Sequence, residues 1–362
     1  MFEKIISLHN LFNAWTEFKR DKANKSDVAE FELGLEDHIF KLHEDLKGGS
    51  YKHGGYYSFF VNDPKRRHIH KASVHDRLLH HAIHRVIEPE WDKIFVFDSW
   101  SSRKNKGVHA AVKRLQNFGF NLSQNHTRTL WILKLDVRKF FASIDHEILL
   151  SILGKKISDD KLMQLLSEII SSFSPGLPLG NLTSQLFGNI YMDKLDQFVK
   201  HELKIPGYVR YADDFILIHH DREFLVSCLN KIKDFLREQL HLEVHPQKIV
   251  LKTYASGIDY LGYVCFPHHK VLRTKTKTRM FQRISEKNFS SYNGILQHCE
   301  SLNLQSELLE TIDKKDPKLR KTKRALFLNK KLAVATKKRR KRMQKIVMSS
   351  LFSLVCIMQF IL

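Results

Sequence analysis

The sequence predicts an α+β fold in which helices back an antiparallel sheet. Three features support this prediction: a short apolar strand at 129–137, two strand-like runs at 208–211 and 215–218 around an acidic pair, and an amphipathic helix at about 222–240. The order strand, helices, hairpin, helix and strand is typical of an antiparallel sheet with helices packed on it. No repeat of 20 to 50 residues occurs, which excludes solenoids and propellers.

The composition is that of a globular protein with a basic segment near its end. Of 362 residues, 43% are hydrophobic and 11% aromatic, which is ample for a core. The net charge is +21, and the segment 314–345 alone contains 16 basic residues and one acid. A polyanionic partner is therefore expected, although charge alone does not distinguish nucleic acid from a membrane surface.

Cysteine spacing and the N-terminus favour a cytoplasmic location. The four cysteines lie far apart without paired spacing, which argues against a disulfide framework and a cysteine-based zinc site. The first residues lack the apolar core of a secretory signal. The four histidines within 75–84 are interpreted as packed or solvated side chains, since no acid or cysteine cluster completes a zinc site.

Local patterns predict the remaining elements. Helices should fill the first 50 residues and end at Gly48-Gly49, with a hairpin or flap at 48–57. A helix from Ser73 to Ile87 should be stopped by Pro89. Further helices are expected at 145–154, 160–172 and 183–204, and short strands near 242–245, 248–252 and 260–265.

Three carboxylates are the strongest candidates for chemistry. Asp213 and Asp214 should form a two-residue turn between apolar strands, where adjacent like charges are costly unless a cation neutralises them. Asp136 ends another apolar strand, so the three would converge if those strands are neighbours. Hard oxygen ligands suit Mg²⁺, and two such ions would activate a hydroxyl nucleophile and stabilise leaving pyrophosphate. The alternative is a solvated acidic turn.

Five segments, in order, resemble motifs of reverse transcriptases. Tyr211-Ala212-Asp213-Asp214 resembles the YxDD box, and Leu135-Asp136-Val137-Arg138-Lys139-Phe140-Phe141 resembles the first palm motif. The others are the nucleotide-contact segment 176–185, the segment 242–248 and the primer-grip segment 257–263. Upstream, Arg67-His68-Ile69, Asp76-Arg77 and the segment 102–107 resemble fingers motifs of group II intron and related bacterial enzymes. The resemblance covers about residues 50–295.

The resemblance implies a right-hand polymerase with fingers, an antiparallel ferredoxin-like palm sheet backed by helices, and a small helical thumb. The expected division is N-terminal helices and fingers at 1–130, palm at 131–265, thumb at 266–312, and a basic tail with an apolar end at 313–362. The implied activity is RNA-directed DNA synthesis from deoxynucleoside triphosphates with two Mg²⁺ ions, for which Mn²⁺ could substitute. Template RNA and the RNA–DNA hybrid are the implied partners.

Individual roles are implied residue by residue. Asp136, Asp213 and Asp214 should hold the metals with help from the Val137 carbonyl. Lys248 resembles the lysine that protonates leaving pyrophosphate, with an ordinary surface lysine as the alternative. Phe141 is the expected steric gate against a ribose 2′-hydroxyl, with a core aromatic as the alternative. Arg67 should clamp the triphosphate, with a solvated basic face as its alternative. The remaining predicted contacts are nucleotide binding by Leu179, Gly180 and Gln185, and nucleic-acid binding by Arg103, Lys104, Lys275, Lys277 and Arg279.

The branch of the family is a finer prediction. Gln185 follows Ser184 where group II intron enzymes usually have Pro, and the string 180–185 resembles enzymes of diversity-generating retroelements. Those enzymes copy a template RNA with frequent errors at adenines and work with a small basic accessory protein. The alternatives are an antiphage (antiviral) defence reverse transcriptase, a group II intron-type enzyme, and an inactive polymerase-fold protein that only binds RNA.

The end of the sequence combines a basic cluster with an apolar run. Residues 337–342 are all Lys or Arg, and the uncharged run 346–362 has seventeen residues, the bottom of the range for spanning a bilayer. Serines and a glutamine interrupt that run, so docking on the thumb or on a partner is expected and a membrane partner is not.

Overall fold

The computed structural model describes residues 1–62 and 65–315. The chain divides into two compact units. The first comprises residues 1–261 and 265–268, and the second comprises 262–264 together with the described residues from 269 onward.

The N-terminal part of the first unit is a helical layer built by amphipathic packing. It contains α1 (Phe2–Ile6), α2 (Leu8–Lys19), α3 (Ser26–Leu33) and α4 (Leu35–Lys47). The Ser7 side chain caps α2 by accepting a hydrogen bond from the Asn10 backbone N–H at 3.3 Å. The prediction that helices end before Gly48-Gly49 is confirmed, because α4 ends at Lys47.

A two-stranded hairpin and a long helix follow. Strands β1 (Tyr56–Val61) and β2 (Arg67–Ala72) pair in antiparallel register, and α5 (Val74–Asp92) and α6 (Val108–Leu122) come next. The expected helix stop at Pro89 is wrong, because Pro89 lies inside α5, which continues to Asp92. Proline in a helix interior costs about 3 kcal/mol, and the last turn offsets this by burying Trp91, which is only 4% exposed.

The central sheet is antiparallel throughout. It consists of β3 (Trp131–Asp136), β4 (Gly207–Tyr211), β5 (Asp214–His219) and β6 (Val250–Thr253), in the order β4-β5-β3-β6. One face of the sheet packs into the main core through Leu133, Leu135 and Leu217. The predicted antiparallel sheet backed by helices is confirmed.

Helices connect and cover these strands. Between β3 and β4 lie a 3₁₀ turn (Phe140–Ser143), α7 (His146–Gly154), α8 (Asp160–Ser171) and α9 (Leu182–Gln197), with a π-helical turn (Phe198–Glu202) after α9. Helix α10 (Arg222–Leu240) follows β5 with the bounds that its apolar period predicts. The expected strand at 242–245 is wrong: Val244 makes only an isolated bridge with Val137, and Pro246, which lacks an N–H, opens a 3₁₀ turn (Pro246–Lys248).

Short strands and helices complete the described chain. They are β7 (Ile258–Tyr260), β8 (Tyr263–Cys265), β9 (Lys270–Leu272), α11 (Thr274–Arg283), α12 (Glu286–Leu296) and α13 (Leu302–Lys315). Among the residues that the structure describes, no helix is both long and apolar enough to cross a bilayer. The basic segment from residue 316 and the apolar run 346–362 lie outside the described residues, so the expectations for them are untested.

Candidate active site

Asp136 and Asp214 lie opposite each other at one end of the central sheet. Asp136 is the last residue of β3 and Asp214 the first of β5, and the two are direct partners in the antiparallel register. The condition for convergence is therefore met, since β3 and β5 are neighbours. Side chains of directly opposed residues stand about 5 Å apart at their Cβ atoms, so these two carboxylates share one small volume.

Asp213 belongs to the turn that joins β4 to β5. The turn consists of Ala212 and Asp213, whereas Asp214 already belongs to β5, so the expected Asp213-Asp214 turn is shifted by one residue. The Val137 backbone N–H donates to the Asp213 carbonyl at 3.1 Å and ties the turn to the end of β3. All three carboxylates are thus held by one end of the sheet.

Two lysines contact these carboxylates. Lys248, on the 3₁₀ turn after α10, donates to Oδ1 of Asp136 at 2.5 Å. Lys134, on β3, lies 3.0 Å from Oδ2 of Asp214 and also donates to the Asp259 carbonyl at 2.8 Å. A backbone hydrogen bond also ties the Lys248 turn to the end of β3, because the His245 N–H donates to the Asp136 carbonyl at 2.8 Å. Each ammonium group therefore neutralises one carboxylate.

Burial makes the charge at this edge unfavourable. Burial first, and the neighbouring Asp136 second, raise the pKa of Asp213, against the opposing charges of Lys248 and Arg67. Burial raises the pKa of Asp214 to about 6, although Lys134 opposes this rise. Carboxylates with raised pKa values that share a site gain most from a cation that neutralises them.

The residues present fit a divalent cation. Oδ1 of Asp214 is buried without a hydrogen-bond partner, although most buried polar atoms have one. Among the described residues, no three His, Cys, Asp or Glu side chains already form a metal-binding cluster, and Lys134 and Lys248 pair with two of the carboxylates. Three hard carboxylates with an unpartnered buried oxygen are donors that Mg²⁺ prefers, and cations would compete with the two ammonium groups.

Phe141 lies in the 3₁₀ turn that follows β3, and its ring packs against α9. It is partly buried against the core, and its ring centroid is 5.0 Å from that of Phe140. Gly188 on α9 makes room for both rings, because a Cβ there would stand 3.1 Å from Phe140 and 3.3 Å from Phe141. The partly exposed ring suits a steric gate and also makes core contacts, so the assignment as a gate stays a prediction.

The segment Leu179-Gly180-Asn181 attaches the β1–β2 hairpin to the palm. The Leu179 carbonyl accepts from the His70 N–H at 2.8 Å, and the Asn181 side chain donates to the His70 carbonyl at 3.0 Å. Gly180 has φ +115°, and a Cβ there would approach Ile69 to 2.8 Å. Gly180 is thus required by backbone conformation and close packing, while the predicted nucleotide contacts of Leu179 and Gly180 remain predictions.

Arg67 is the first residue of β2. Its side chain is exposed, and it lies close enough to lower the pKa of Asp213. Gln185 on α9 is also exposed, and its Oε1 accepts a hydrogen bond from Ser102 at 2.9 Å. The structure therefore places the predicted phosphate clamp and nucleotide-contact residue on accessible surface of the same unit.

Arg103 and Lys104 occupy different environments. The Arg103 side chain is 5% exposed, and it donates to Asp92 and to the carbonyls of Val96 and Ser99. Its guanidinium holds the loop before α6 together, so phosphate contact by this group finds no support in the structure. Lys104 is exposed and remains a candidate for nucleic-acid binding.

The basic residues of the second unit lie on α11. In a helix, Lys275 and Arg279 are four residues apart and share a face, whereas Lys277 points elsewhere. Lys277 lies 3.9 Å from a carboxylate oxygen of Glu307 on α13 and over the Phe281 ring. Lys275 and Arg279 therefore lie on one face of α11, and their nucleic-acid contacts remain predictions.

Two residues at the site were missed by the sequence analysis. Lys134 is the only charge within the apolar part of β3, and Arg210 is the only charge within β4. A charged residue inside a buried strand requires a partner. That signal was present in the sequence, but the partners, Asp214 and Asp196, are visible only in the fold.

The antiparallel sheet and its covering helices agree with the palm that the resemblance to reverse transcriptases implies. The family model described as "Reverse transcriptase (RNA-dependent DNA polymerase)" matches residues 60–265, more than half of the chain. The chain belongs to the reverse transcriptase family. The match begins within the β1–β2 hairpin and ends with β8, so it includes all three carboxylates.

The curated relatives are distant in sequence and include a group II intron-encoded protein. The chain is 24% identical over 257 residues to "Protein YkfC" of Escherichia coli strain K12, and 22% identical over 304 residues to the "Group II intron-encoded protein LtrA" of Lactococcus lactis subsp. cremoris. The matches involve 59% and 63% of this chain and span 65% and 49% of the relatives' lengths. Among solved structures, apo telomerase from Candida tropicalis matches 64% of this chain and 59% of its own, with 13% identity and a TM-score of 0.48.

Proposed function

We propose that the protein is an RNA-directed DNA polymerase that extends a DNA primer on an RNA template with deoxynucleoside triphosphates. The observation that carries the proposal is the Asp136–Asp214 register pair with Asp213 beside it, where three partly buried carboxylates meet and burial raises the pKa of Asp213 and Asp214. Family membership supports the same chemistry.

Divalent cations, for which we propose two Mg²⁺ ions with Mn²⁺ as a substitute, would supply nucleophile activation and charge stabilisation at the transferred phosphate. Asp136, Asp213 and Asp214 would hold them, with the Val137 carbonyl assisting. The Oδ1 atom of Asp214 that lacks a partner supports this assignment.

The surrounding residues would bind and orient the nucleotide. Arg67 would contact the triphosphate through its exposed guanidinium. Phe141, fixed against Gly188, would exclude a ribose 2′-hydroxyl by collision. Lys248, 2.5 Å from Asp136, would be released from that carboxylate by a bound cation and become free to protonate pyrophosphate.

Primer extension on an RNA template tests the proposal. Wild-type protein should extend a DNA primer in the presence of Mg²⁺, and Asp213→Ala should abolish extension while binding the RNA–DNA duplex with unchanged affinity. Asp234→Ala is a matched control, because Asp234 is an exposed acid on α10 whose loss should not change the rate. Extension by Asp213→Ala would contradict the role of this carboxylate in catalysis. RNA binding without extension by the wild type would favour an inactive RNA-binding protein.

For the biological role, we propose the error-prone enzyme of a diversity-generating retroelement, in the cytoplasm and with a small basic accessory protein. The string 180–185 and the aliphatic Leu179 support this, because Leu179 cannot hydrogen-bond a nucleotide sugar. Leu179→Gln should then reduce misincorporation opposite template adenines by several-fold, measured by sequencing of the cDNA. An unchanged error spectrum contradicts the proposal.

A group II intron-type role is the second candidate, because the relatives include group II intron-encoded proteins. An antiphage role is the remaining alternative from the sequence. Copying of an intron RNA in preference to a repeat-derived template of the same length, in a competition assay, would favour the intron-type enzyme.

A further inference from the structure

Arg210 is completely buried directly behind the active-site turn. It is the fourth residue of β4, and its side chain is 0% exposed. Its guanidinium is paired with Asp196 on α9, which is also 0% exposed, through two hydrogen bonds of 2.7 and 2.6 Å. Burial alone would lower the pKa of Arg210, but Asp196 raises it overall, so the guanidinium stays charged.

All five N–H donors of Arg210 have acceptors. Besides the two bonds to Asp196, Nη1 donates to Oδ1 of Asn189 at 3.2 Å and to the Ala212 carbonyl at 3.1 Å, and Nη2 donates to Oγ of Ser99 at 2.9 Å. A guanidinium has five donors in one plane, so this arrangement saturates it. A buried ion pair that served only stability would not need a bond to the turn.

The bond to Ala212 reaches a turn with a strained backbone. Ala212 has φ +55°, a left-handed conformation that is costly for a residue other than Gly and must be held by its surroundings. Asp213, the next residue, is one of the three carboxylates. The turn is therefore held at both of its residues: the Arg210 side chain donates to the Ala212 carbonyl, and the Val137 N–H donates to the Asp213 carbonyl.

The same network connects the turn to α9. Asn189 and Asp196 both lie on α9, and Asn189 also donates to the Ser101 carbonyl at 2.8 Å. One turn before Asn189 on that helix is Gln185, and the residue before Asn189 is Gly188, which supports the Phe141 ring. The Arg210 guanidinium therefore binds both α9, which packs against the predicted gate, and the turn that carries Asp213.

We propose that Arg210 is a positioning residue that fixes the Ala212–Asp213 turn and thereby places the Asp213 carboxylate for divalent cations. The inference rests on the proposed function for its activity readout, but cation binding tests it separately. Lysine at this position would keep the charge for Asp196, yet a single ammonium nitrogen cannot also reach the Ala212 carbonyl.

The test compares Arg210→Lys with a control from the same network. Tyr208 donates to Oδ1 of Asp196 at 2.6 Å and makes no bond to the turn, so Tyr208→Phe weakens the buried pair alone. Binding of Mn²⁺ alone is followed by electron paramagnetic resonance. We expect Arg210→Lys to bind Mn²⁺ at least fivefold more weakly than the wild type, and Tyr208→Phe to stay within twofold.

Ala212→Gly provides a rescue that a merely structural role would not show. Glycine adopts a positive φ without strain, so the turn needs less support. We compare the loss of Mn²⁺ affinity caused by Arg210→Lys in two backgrounds, the wild type and Ala212→Gly. On a logarithmic scale, the loss in the Ala212→Gly background should be at most half of the loss in the wild-type background. The Mg²⁺ concentration for half-maximal primer extension should follow the same order.

Three outcomes overturn the proposal: wild-type Mn²⁺ affinity in Arg210→Lys, an equal loss in Tyr208→Phe, or no rescue by Ala212→Gly. If circular dichroism shows that Arg210→Lys is unfolded, Arg210→Gln/Asp196→Asn removes both charges together and leaves no unpaired buried ion for the same measurements. Wild-type protein that binds Mn²⁺ but extends no primer contradicts the proposed function only.

Discussion

The ammonium nitrogen of Lys134 lies 3.0 Å from Oδ2 of Asp214, on the same edge of the sheet as the register pair Asp136–Asp214. Lys134 and Asp136 are two residues apart on β3 and therefore point to the same face. A fixed cation thus stands beside the most strongly perturbed carboxylate of the site, and it belongs to the protein itself.

The ionised Asp214 side chain should destabilise the folded protein at neutral pH. Its folded pKa of about 6 lies above the ordinary 3.8, so its contribution to stability is full below pH 3.8 and is lost as pH rises through 6. Asp214→Asn should therefore raise the free energy of unfolding at pH 8 by about 1–3 kcal/mol and raise it less at pH 5, in urea titrations with a chelator present. Asp234→Asn, at an exposed site, should change neither value, and a less stable Asp214→Asn protein at pH 8 would contradict the prediction.

Removing Lys134 should shift the pH dependence of activity. Without the opposing ammonium group, the pKa of Asp214 rises further above 6, so a larger share of the carboxylate is protonated near neutrality. Lys134→Met should move the acidic limb of the primer-extension rate upward by about one pH unit, measured at subsaturating Mg²⁺. Lys134→Arg should keep the acidic limb near its wild-type position. Lys252→Met, which removes a lysine from the neighbouring strand β6, is the control. Superimposable pH–rate profiles for Lys134→Met and wild type would contradict this prediction.

Phe141→Ala should admit ribonucleotides while DNA synthesis stays detectable. Only the steric wall is removed, so the ratio of kcat/KM for deoxynucleotides over ribonucleotides should fall at least tenfold, which is about 1.4 kcal/mol. Phe140→Ala is the neighbouring control: Phe140 is 4% exposed, so its loss should lower Tm without changing sugar selection. If Phe141→Ala only unfolds the protein, Phe141 is a core residue and not the gate.

Asn181→Ala should loosen the β1–β2 hairpin that carries Arg67. The Asn181 side chain donates to the His70 carbonyl at 3.0 Å and accepts from the Ala72 N–H at 3.3 Å, so its loss removes two of the hydrogen bonds that hold β2 to the segment 179–181. The KM for deoxynucleotide should rise several-fold with a smaller change in kcat, and Arg67→Ala/Asn181→Ala should be no worse than Arg67→Ala alone. Fully additive losses would show that the two residues act independently. Asn121→Ala, at an exposed position of α6, serves as the control.

Local sequence was reliable where one physical signal dominated. The apolar period of α10 predicted its bounds, Arg222–Leu240, and Asp221 caps it as that pattern requires. It failed where tertiary contacts outweighed a local preference. Pro89 is accommodated within α5 because the last turn buries Trp91, and Leu242–His245 forms no strand because Pro246 and the single Val244 bridge redirect the chain.

The sequence by itself determined the family, the antiparallel sheet and the identity of the three carboxylates. Each is encoded in short segments, and the order and spacing of these segments can be recognised in the sequence before the fold is known. Only the tertiary structure decided what surrounds those carboxylates: the Asp136–Asp214 register, the Lys134 and Lys248 contacts, and the burial of Arg210 against Asp196 and Ala212. The reason is physical. Charge pairing, desolvation and support of a strained turn depend on distances between residues that are far apart in the chain, 112 positions for Lys248 and Asp136, and those distances exist only after packing.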